Sequence, residues 1–209
     1  MKKKIKIISF IFLILMIMTG CSTTLVEVNN INDLEDRNVG IYTGSEYDTI
    51  LNKKVPSAKA SYYNSYSDQI SALKAGKIDG FLTDEPLAKE ILKENDGLKI
   101  LDEKLTEDSY AFAISPDKED LQKEINIQLA KMIENGKLLE FENKWMGDDE
   151  EQKQLEKYEY DASKGTIRFA TVSGSAPFAY MKNNEIVGYD IDVILYICKE
   201  LGYKLEIIE

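Results

Sequence analysis

Short β-prone runs alternate with helix-forming stretches along most of this chain, and that alternation constrains its fold more than any other feature. Residues 39–42, 59–63, 78–83, 98–101 and 110–114 read as strands. Helices are expected over 46–53, from Ser67 to a stop at Gly76, and from Asp84-Glu85-Pro86 onward. Proline is tolerated in a first helical turn, and glycine just past a helix end closes it in a left-handed turn. Ser45 followed by Asp48 has the spacing of a capping box. Ile70 and Leu73 mark the apolar face of the second helical stretch, the one from Ser67 to Gly76. Two further helices are expected over 118–135 and 137–145, divided by Gly136. After Gly165 the pattern restarts: a strand over 166–171, a loop over 173–178, a helix over 189–201 and a strand over 204–208. Alternation of this kind predicts an α/β sheet covered by helices.

The amino terminus does not fit that pattern and reads as an address. Lys2, Lys3, Lys4 and Lys6 precede an uncharged apolar run over 7–20. That run suits a secretory signal and is short for a membrane span. Met18-Thr19-Gly20-Cys21 then looks like a bacterial lipobox. On that reading Cys21 receives a diacylglyceryl group on its thiol and becomes the first residue of the mature protein. Acyl chains add membrane affinity at ~0.8 kcal/mol per buried methylene. Residues 1–20 are thus a lipoprotein signal and 21–32 a polar tether.

The 209 residues contain no histidine, which excludes a Ser-His-Asp triad, a Cys-His pair and a His-ligated metal. With two cysteines, Cys21 and Cys198, a disulfide framework is not expected. Net charge is −11, and it becomes more negative once the four signal lysines are removed. A body this acidic lacks the basic face that nucleic acid requires. No cofactor is implied. Asp190 and Asp192 read as helix-start caps rather than metal ligands. Asp79, Asp84 and Glu85 lack any further feature of a glycoside-hydrolysing acid pair. Trp145 reads as a packing anchor, Tyr62, Tyr63 and Tyr66 as strand packing or cleft lining, and Cys198 as a buried, inert side chain. The charge-rich stretch 148–164 reads as a linker between units.

Ligands of open α/β sheets bind at the carboxyl ends of strands. Thr43-Gly44-Ser45 lies at one such end and opens a helix, where backbone N–H groups and the helix dipole favour an anion. Asp84 lies at another. An anion site beside a carboxylate is complementary to a zwitterion, with the ligand carboxylate near Ser45 and its ammonium at Asp84. Ser45 and Asp84 could equally be plain helix caps.

At these residues the chain resembles a known family, the bacterial extracellular solute-binding proteins, family 3, which are the type II periplasmic binding proteins of polar amino-acid ABC transporters. The resemblance rests on Val39-Gly40-Ile41-Tyr42-Thr43-Gly44-Ser45, on Ala72-Leu73-Lys74-Ala75-Gly76-Lys77-Ile78-Asp79-Gly80-Phe81-Leu82-Thr83-Asp84, on Glu134-Asn135-Gly136-Lys137-Leu138 and on Lys144-Trp145-Met146-Gly147. It covers about residues 31–147. Ala176-Pro177-Phe178 and Gly188-Tyr189-Asp190-Ile191-Asp192 resemble the family's opening, so the order is inverted. The resemblance implies an α/β periplasmic-binding-protein-like lobe (33–147, with its C-terminal helices) plus an incomplete second lobe (165–209).

It also implies a polar amino acid as ligand and an ABC permease and the membrane as partners, with no enzyme activity. Asp84 takes the ammonium-binding position, and Gly44-Ser45 the carboxylate turn. Thr43, Ser173, Ser175 and Phe178 are further candidate contacts. Where the family often carries an aromatic platform before Ala-Pro-Phe, this chain has Ser175. The family's clamping arginine is matched by neither Arg37 nor Arg168 and is expected beyond Glu209. Three arrangements fit: the front of a longer protein, a permuted lobe pair, or residues 165–209 seated beside the helices of 118–145. The other functional classes in play are a ligand-sensing module of a signalling protein and a binding-dead scaffold.

Overall fold

The computed structural model describes residues 26–107, 109–159 and 161–209. The expected signal, and Cys21 as the expected lipid-attachment residue, lie outside the described residues. The chain divides into two units. The first comprises the described part of Met1–Leu82 together with Leu101–Leu105; the second comprises Thr83–Ile100 and Thr106–Glu209.

The first unit is built on a parallel sheet of order β2-β1-β3: β1 (Asn38–Tyr42), β2 (Lys59–Tyr63) and β3 (Gly80–Phe81). Strand β1 is central, with Val39, Gly40 and Ile41 buried, as expected of a parallel strand covered on both faces. A Cβ on Gly40 would stand 2.8 Å from Ile78 Cδ1 and 2.9 Å from Phe81 Cβ, so only glycine fits there. Helix α1 (Tyr47–Lys54) follows β1, and α2 (Tyr66–Lys74) follows β2. Leu34, Val39, Ile41, Leu51, Val55 and Leu82 form the core. Asp79 accepts the Asn38 N–H at 3.2 Å and pairs with Arg37 at 3.7 Å, which ties the start of β1 to the approach of β3.

The second unit holds α3 (Glu85–Glu94), α4 (Glu119–Glu134), α5 (Lys137–Met146) and α6 (Tyr189–Leu201). It also holds the parallel pair β4 (Thr166–Ala170) and β8 (Lys204–Ile208), and the antiparallel sheet β5 (Gly174–Ser175), β6 (Ala179–Lys182) and β7 (Glu185–Val187). Its core joins α4, α5 and α6 through Ile125, Met132, Phe141, Trp145, Val193, Ile194 and Ile197. Residues 165–209 are therefore seated beside the helices of 118–145, one of the three arrangements expected. Trp145 is fully buried, and its Nε1–H donates to Asp192 Oδ2 at 2.8 Å. Lys144 pairs with the same carboxylate. Residues 148–153 are anchored by Lys153, 1% exposed, which is 2.6 Å from Glu150 and 3.6 Å from Glu90 of α3.

Several local expectations are corrected. The Ser45–Asp48 capping box does not form: Glu46 is the N-cap residue of α1, and Asp48 accepts from the neighbouring Thr49 N–H. Helix α2 is capped by Ser65, not Ser67; Ser65 Oγ accepts the Asp68 N–H at 3.1 Å. The fully buried positions of α2 are Gln69 and Ala72, with Ile70 and Leu73 half-buried beside them. The strand expected over 78–83 shortens to Gly80–Phe81. Residues 98–101 and 110–114 are not strands. A β-prone run becomes a strand only beside a partner, and Phe112 and Ile114 are used instead as side chains against the second unit's core. Asp190 and Asp192 do not cap α6, whose N-cap residue is Gly188 with no side-chain bond. Residues 179–187 add an antiparallel hairpin, β6–β7, whose turn signal is Asn183-Asn184, both at positive φ.

Candidate functional site

In the first unit the end of β1 turns through Thr43-Gly44-Ser45 into α1. The turn is stitched to its own sheet. The Thr43 N–H and Oγ1–H both donate to the Tyr63 carbonyl at the end of β2, at 2.8 and 3.0 Å. The Ser45 N–H and Oγ–H both donate to the Tyr42 carbonyl, at 3.2 and 2.7 Å. Two of the three amides expected to receive an anion therefore already have acceptors. Gly44 differs. Its N–H has no acceptor among the described residues, its φ is +84°, and nothing lies within 4 Å of where a Cβ would stand. Beside the turn the rings of Tyr42 and Tyr66 stack with centroids 4.9 Å apart. Tyr62 is exposed and donates to Asp48 at 3.3 Å.

In the second unit Asp84 is the N-cap residue of α3, extended at φ −72°, ψ 145°, and its carbonyl accepts the Ala88 N–H that starts the helix. Its side chain makes no capping bond, although aspartate at this position ordinarily does. A recess of about 280 Å³ opens next to it, lined by Glu85 and Pro86 of α3, by Glu142 and Met146 of α5, and by Pro177. The first turn of α3 and the Ala176-Pro177-Phe178 turn thus face one recess.

That second turn is held by backbone contacts. The Phe178 N–H donates to the Ser175 carbonyl at 2.8 Å, while the Pro177 and Phe178 carbonyls accept the Tyr189 and Asp190 N–H groups, both at 3.0 Å. The fit is close enough that a Cβ on Gly188 would lie 2.2 Å from the Phe178 oxygen. Ser173 bonds through its hydroxyl to Glu209, and its carbonyl accepts the Met181 N–H. Ser175 pairs with Ala179 across β5–β6. The Phe178 ring meets that of Tyr110 at a tilt, 4.9 Å away, and that of Tyr189 edge-on, at 6.5 Å. Burial holds the Asp190 carboxyl above its ordinary range. Burial first, then the Glu142 and Asp190 charges, push the Tyr189 hydroxyl up to about 12.

The candidate residues therefore sort by unit: Thr43, Gly44 and Ser45 stand on the first, and Asp84, Ser173, Ser175 and Phe178 on the second. Sequence reading missed Tyr110 as a partner of the Ala-Pro-Phe turn, because no local pattern announces a contact 68 positions away. Among the described residues no group of three or more histidine, cysteine, aspartate or glutamate side chains could hold a metal ion. No described helix is long and apolar enough to cross a membrane.

Comparison with known proteins gives consistent relatives. The family model of the bacterial extracellular solute-binding proteins, family 3, matches residues 167–209. The L-cystine-binding protein TcyJ of Escherichia coli (strain K12) is 28% identical over 123 residues, spanning 58% of this chain and 46% of that protein. The ABC transporter arginine-binding protein 1 of the same organism is 29% identical over 118 residues, spanning 54% and 49%. The ABC transporter glutamine-binding protein GlnH of Bacillus subtilis (strain 168) is 29% identical over 106 residues, spanning 51% and 39%. The chain thus spans about half, or less, of the length of these curated relatives. An ancestral arginine-binding protein bound to glutamine superposes with a TM-score of 0.54 at 26% identity, covering 60% of this chain and 57% of that one. An ancestral arginine-binding protein bound to arginine gives 0.53 at 26% identity, covering 58% of this chain and 56% of that one. The α/β fold and the resemblance to family 3 read from the sequence are borne out, and each of these relatives is a binding protein rather than an enzyme.

Proposed function

We propose that this chain works as an extracytoplasmic solute-binding protein, or as part of one, that captures a polar amino acid for an ABC permease. Taken by itself, the Thr43-Gly44-Ser45 turn of the first unit suits a carboxylate, chiefly through the Gly44 N–H, and Asp84 of the second unit by itself suits an ammonium. Ser173, Ser175 and Phe178 contribute on the side of the Ala-Pro-Phe turn. The capture needs no covalent chemistry. The lipobox-like Met18-Thr19-Gly20-Cys21 supports a lipid anchor at Cys21 that holds the protein at the outer face of the cell membrane.

The observation that carries this reading is Asp84. Asp84 opens α3 beside the recess that Glu85, Glu142 and Pro177 line, and a carboxylate placed there suits an ammonium. The test is calorimetric titration of the natural full-length protein with the common amino acids. Asp84→Asn is expected to weaken the best ligand by about a hundredfold or more, since it truncates one partner of a desolvated charge pair. The unliganded melting temperature should hardly move. Equal binding of the matching 2-oxo acid, which lacks the ammonium, would refute the assignment. Loss of membrane retention in Cys21→Ala checks the anchor.

A further inference from the structure

Lysine is seldom fully buried unless its charge is paired. Lys153 is 1% exposed, and it follows the acidic stretch Asp148-Asp149-Glu150-Glu151. That stretch is fixed to the second unit by lysines of two other elements. Lys182 of β6 donates to the Glu150 and Lys153 carbonyls, both at 3.2 Å, and Lys144 of α5 donates to the Gln154 carbonyl at 3.0 Å. Lys153 carries the connection on to α3, its ammonium 2.6 Å from Glu150 and 3.6 Å from Glu90. Among the described residues, neither apolar core draws a side chain from α3. A recess of about 280 Å³ lies instead between that helix and Glu142, Met146 and Pro177. A second tie to the strap, Lys93–Asp148 at 3.3 Å, ends on a carboxylate that is 96% exposed, where an ion pair is worth little. The weight falls on Lys153, whose charge is out of water.

We infer that Lys153 is a positioning residue: through Glu90 it fixes α3, and with α3 the Asp84 at its start, beside the recess that Pro177 also lines. What that position serves rests on the amino-acid-binding reading above; the tie itself does not. Loss of the ammonium leaves two carboxylates, Glu90 and Glu150, around a site that has lost its positive charge. Their repulsion favours a displaced α3, while the core that joins α4, α5 and α6 loses nothing. The opening is therefore local to α3 rather than shared by the whole unit.

Hydrogen exchange of the full-length protein, read by mass spectrometry, compares peptides covering 88–94 and 189–201. Lys153→Met keeps the length of the side chain and removes its charge. It should speed exchange over 88–94 about tenfold or more and leave 189–201 unchanged. Glu90→Gln cuts the same tie from a half-buried position of α3 and should do likewise, which keeps the test decisive if the methionine variant fails to fold. The double variant should add little to either single one. Calorimetric titration with the best amino-acid ligand should show both single variants weakened about tenfold, as when α3 is held in place only about a tenth of the time. Equal acceleration of both peptides would make Lys153 a support of the whole unit, and unchanged exchange over 88–94 would remove the tie. Either result overturns the inference, as does an unaltered ligand affinity beside a loosened α3. If the wild type binds no amino acid, the capture reading falls, and the exchange contrast alone decides whether Lys153 fixes α3.

Discussion

Gly188→Ala tests whether the Ala176-Pro177-Phe178 turn is held by backbone approach. The added Cβ would meet the Phe178 oxygen at 2.2 Å, the Phe178 carbonyl carbon at 2.6 Å and the Pro177 oxygen at 2.9 Å. All three are backbone atoms, so no side chain can swing aside. Clearing the contact requires the Phe178 carbonyl to retreat by roughly 1 Å, given ordinary carbon–oxygen separations. That retreat breaks the bonds that Pro177 and Phe178 accept from Tyr189 and Asp190, each 3.0 Å long and each worth about 1 kcal/mol. Alanine at φ +137° adds about 1–3 kcal/mol of backbone strain. The expected loss is therefore about 3–5 kcal/mol, a large share of a stability that is typically about 5–15 kcal/mol. Trp145 is the only tryptophan and is buried in the second unit, so urea unfolding followed by its fluorescence reports that unit directly. A loss below about 1 kcal/mol would show that the turn does not depend on this approach.

Two further perturbations probe the second unit. Trp145→Phe removes the Nε1–H donor from Asp192, which is fully buried, and should cost about 2–4 kcal/mol by far-UV circular dichroism in urea. Adding Asp192→Asn should recover part of that cost, and strict additivity of the two changes would deny the coupling. Stability should also depend on two carboxylates that ion pairs and hydrogen bonds hold below their ordinary value of 4.5. Glu150 is lowered chiefly by the Lys153 hydrogen bond, and Glu156 chiefly by that from Tyr158, each against an opposing effect of burial. A depressed folded pKa contributes stability that is present above the unfolded value and lost as pH falls through the folded one. The melting temperature should therefore begin to fall below about pH 4.5, and less steeply in Glu150→Gln/Glu156→Gln; an identical acid slope would refute this.

What could be read in advance followed from how local its cause was. Tyr189–Leu201 was legible at both ends because Gly188 and Gly202 bound an apolar periodic run, and both adopt the positive φ that only glycine takes easily. Lys59–Tyr63 and Lys204–Ile208 were legible because each is a β-prone run that finds a parallel partner. The run over 110–114 is also β-prone and forms no strand, since pairing is a property of the neighbour and not of the run. The choice between Ser65 and Ser67 as a cap turned on two residues of backbone that either serine could have satisfied. The Trp145–Asp192 bond joins residues 47 apart and has no local signature at all.

The same distinction governs the candidate site. That the end of β1 must turn through a glycine into a helix is written in Thr43-Gly44-Ser45. Which amides of that turn remain available is decided elsewhere: β2 ends beside β1 at Tyr63, and its carbonyl takes both donors of Thr43. Ser45, with no such neighbour, folds back on Tyr42. A strand-end turn next to a parallel partner here loses its first amide to the neighbouring strand and its last to the carbonyl that ends its own strand. The middle residue alone keeps an N–H toward solvent. The φ of +84° at Gly44 aims its amide differently from those on either side, so the conformation that calls for glycine is also the one that leaves a donor for an anion.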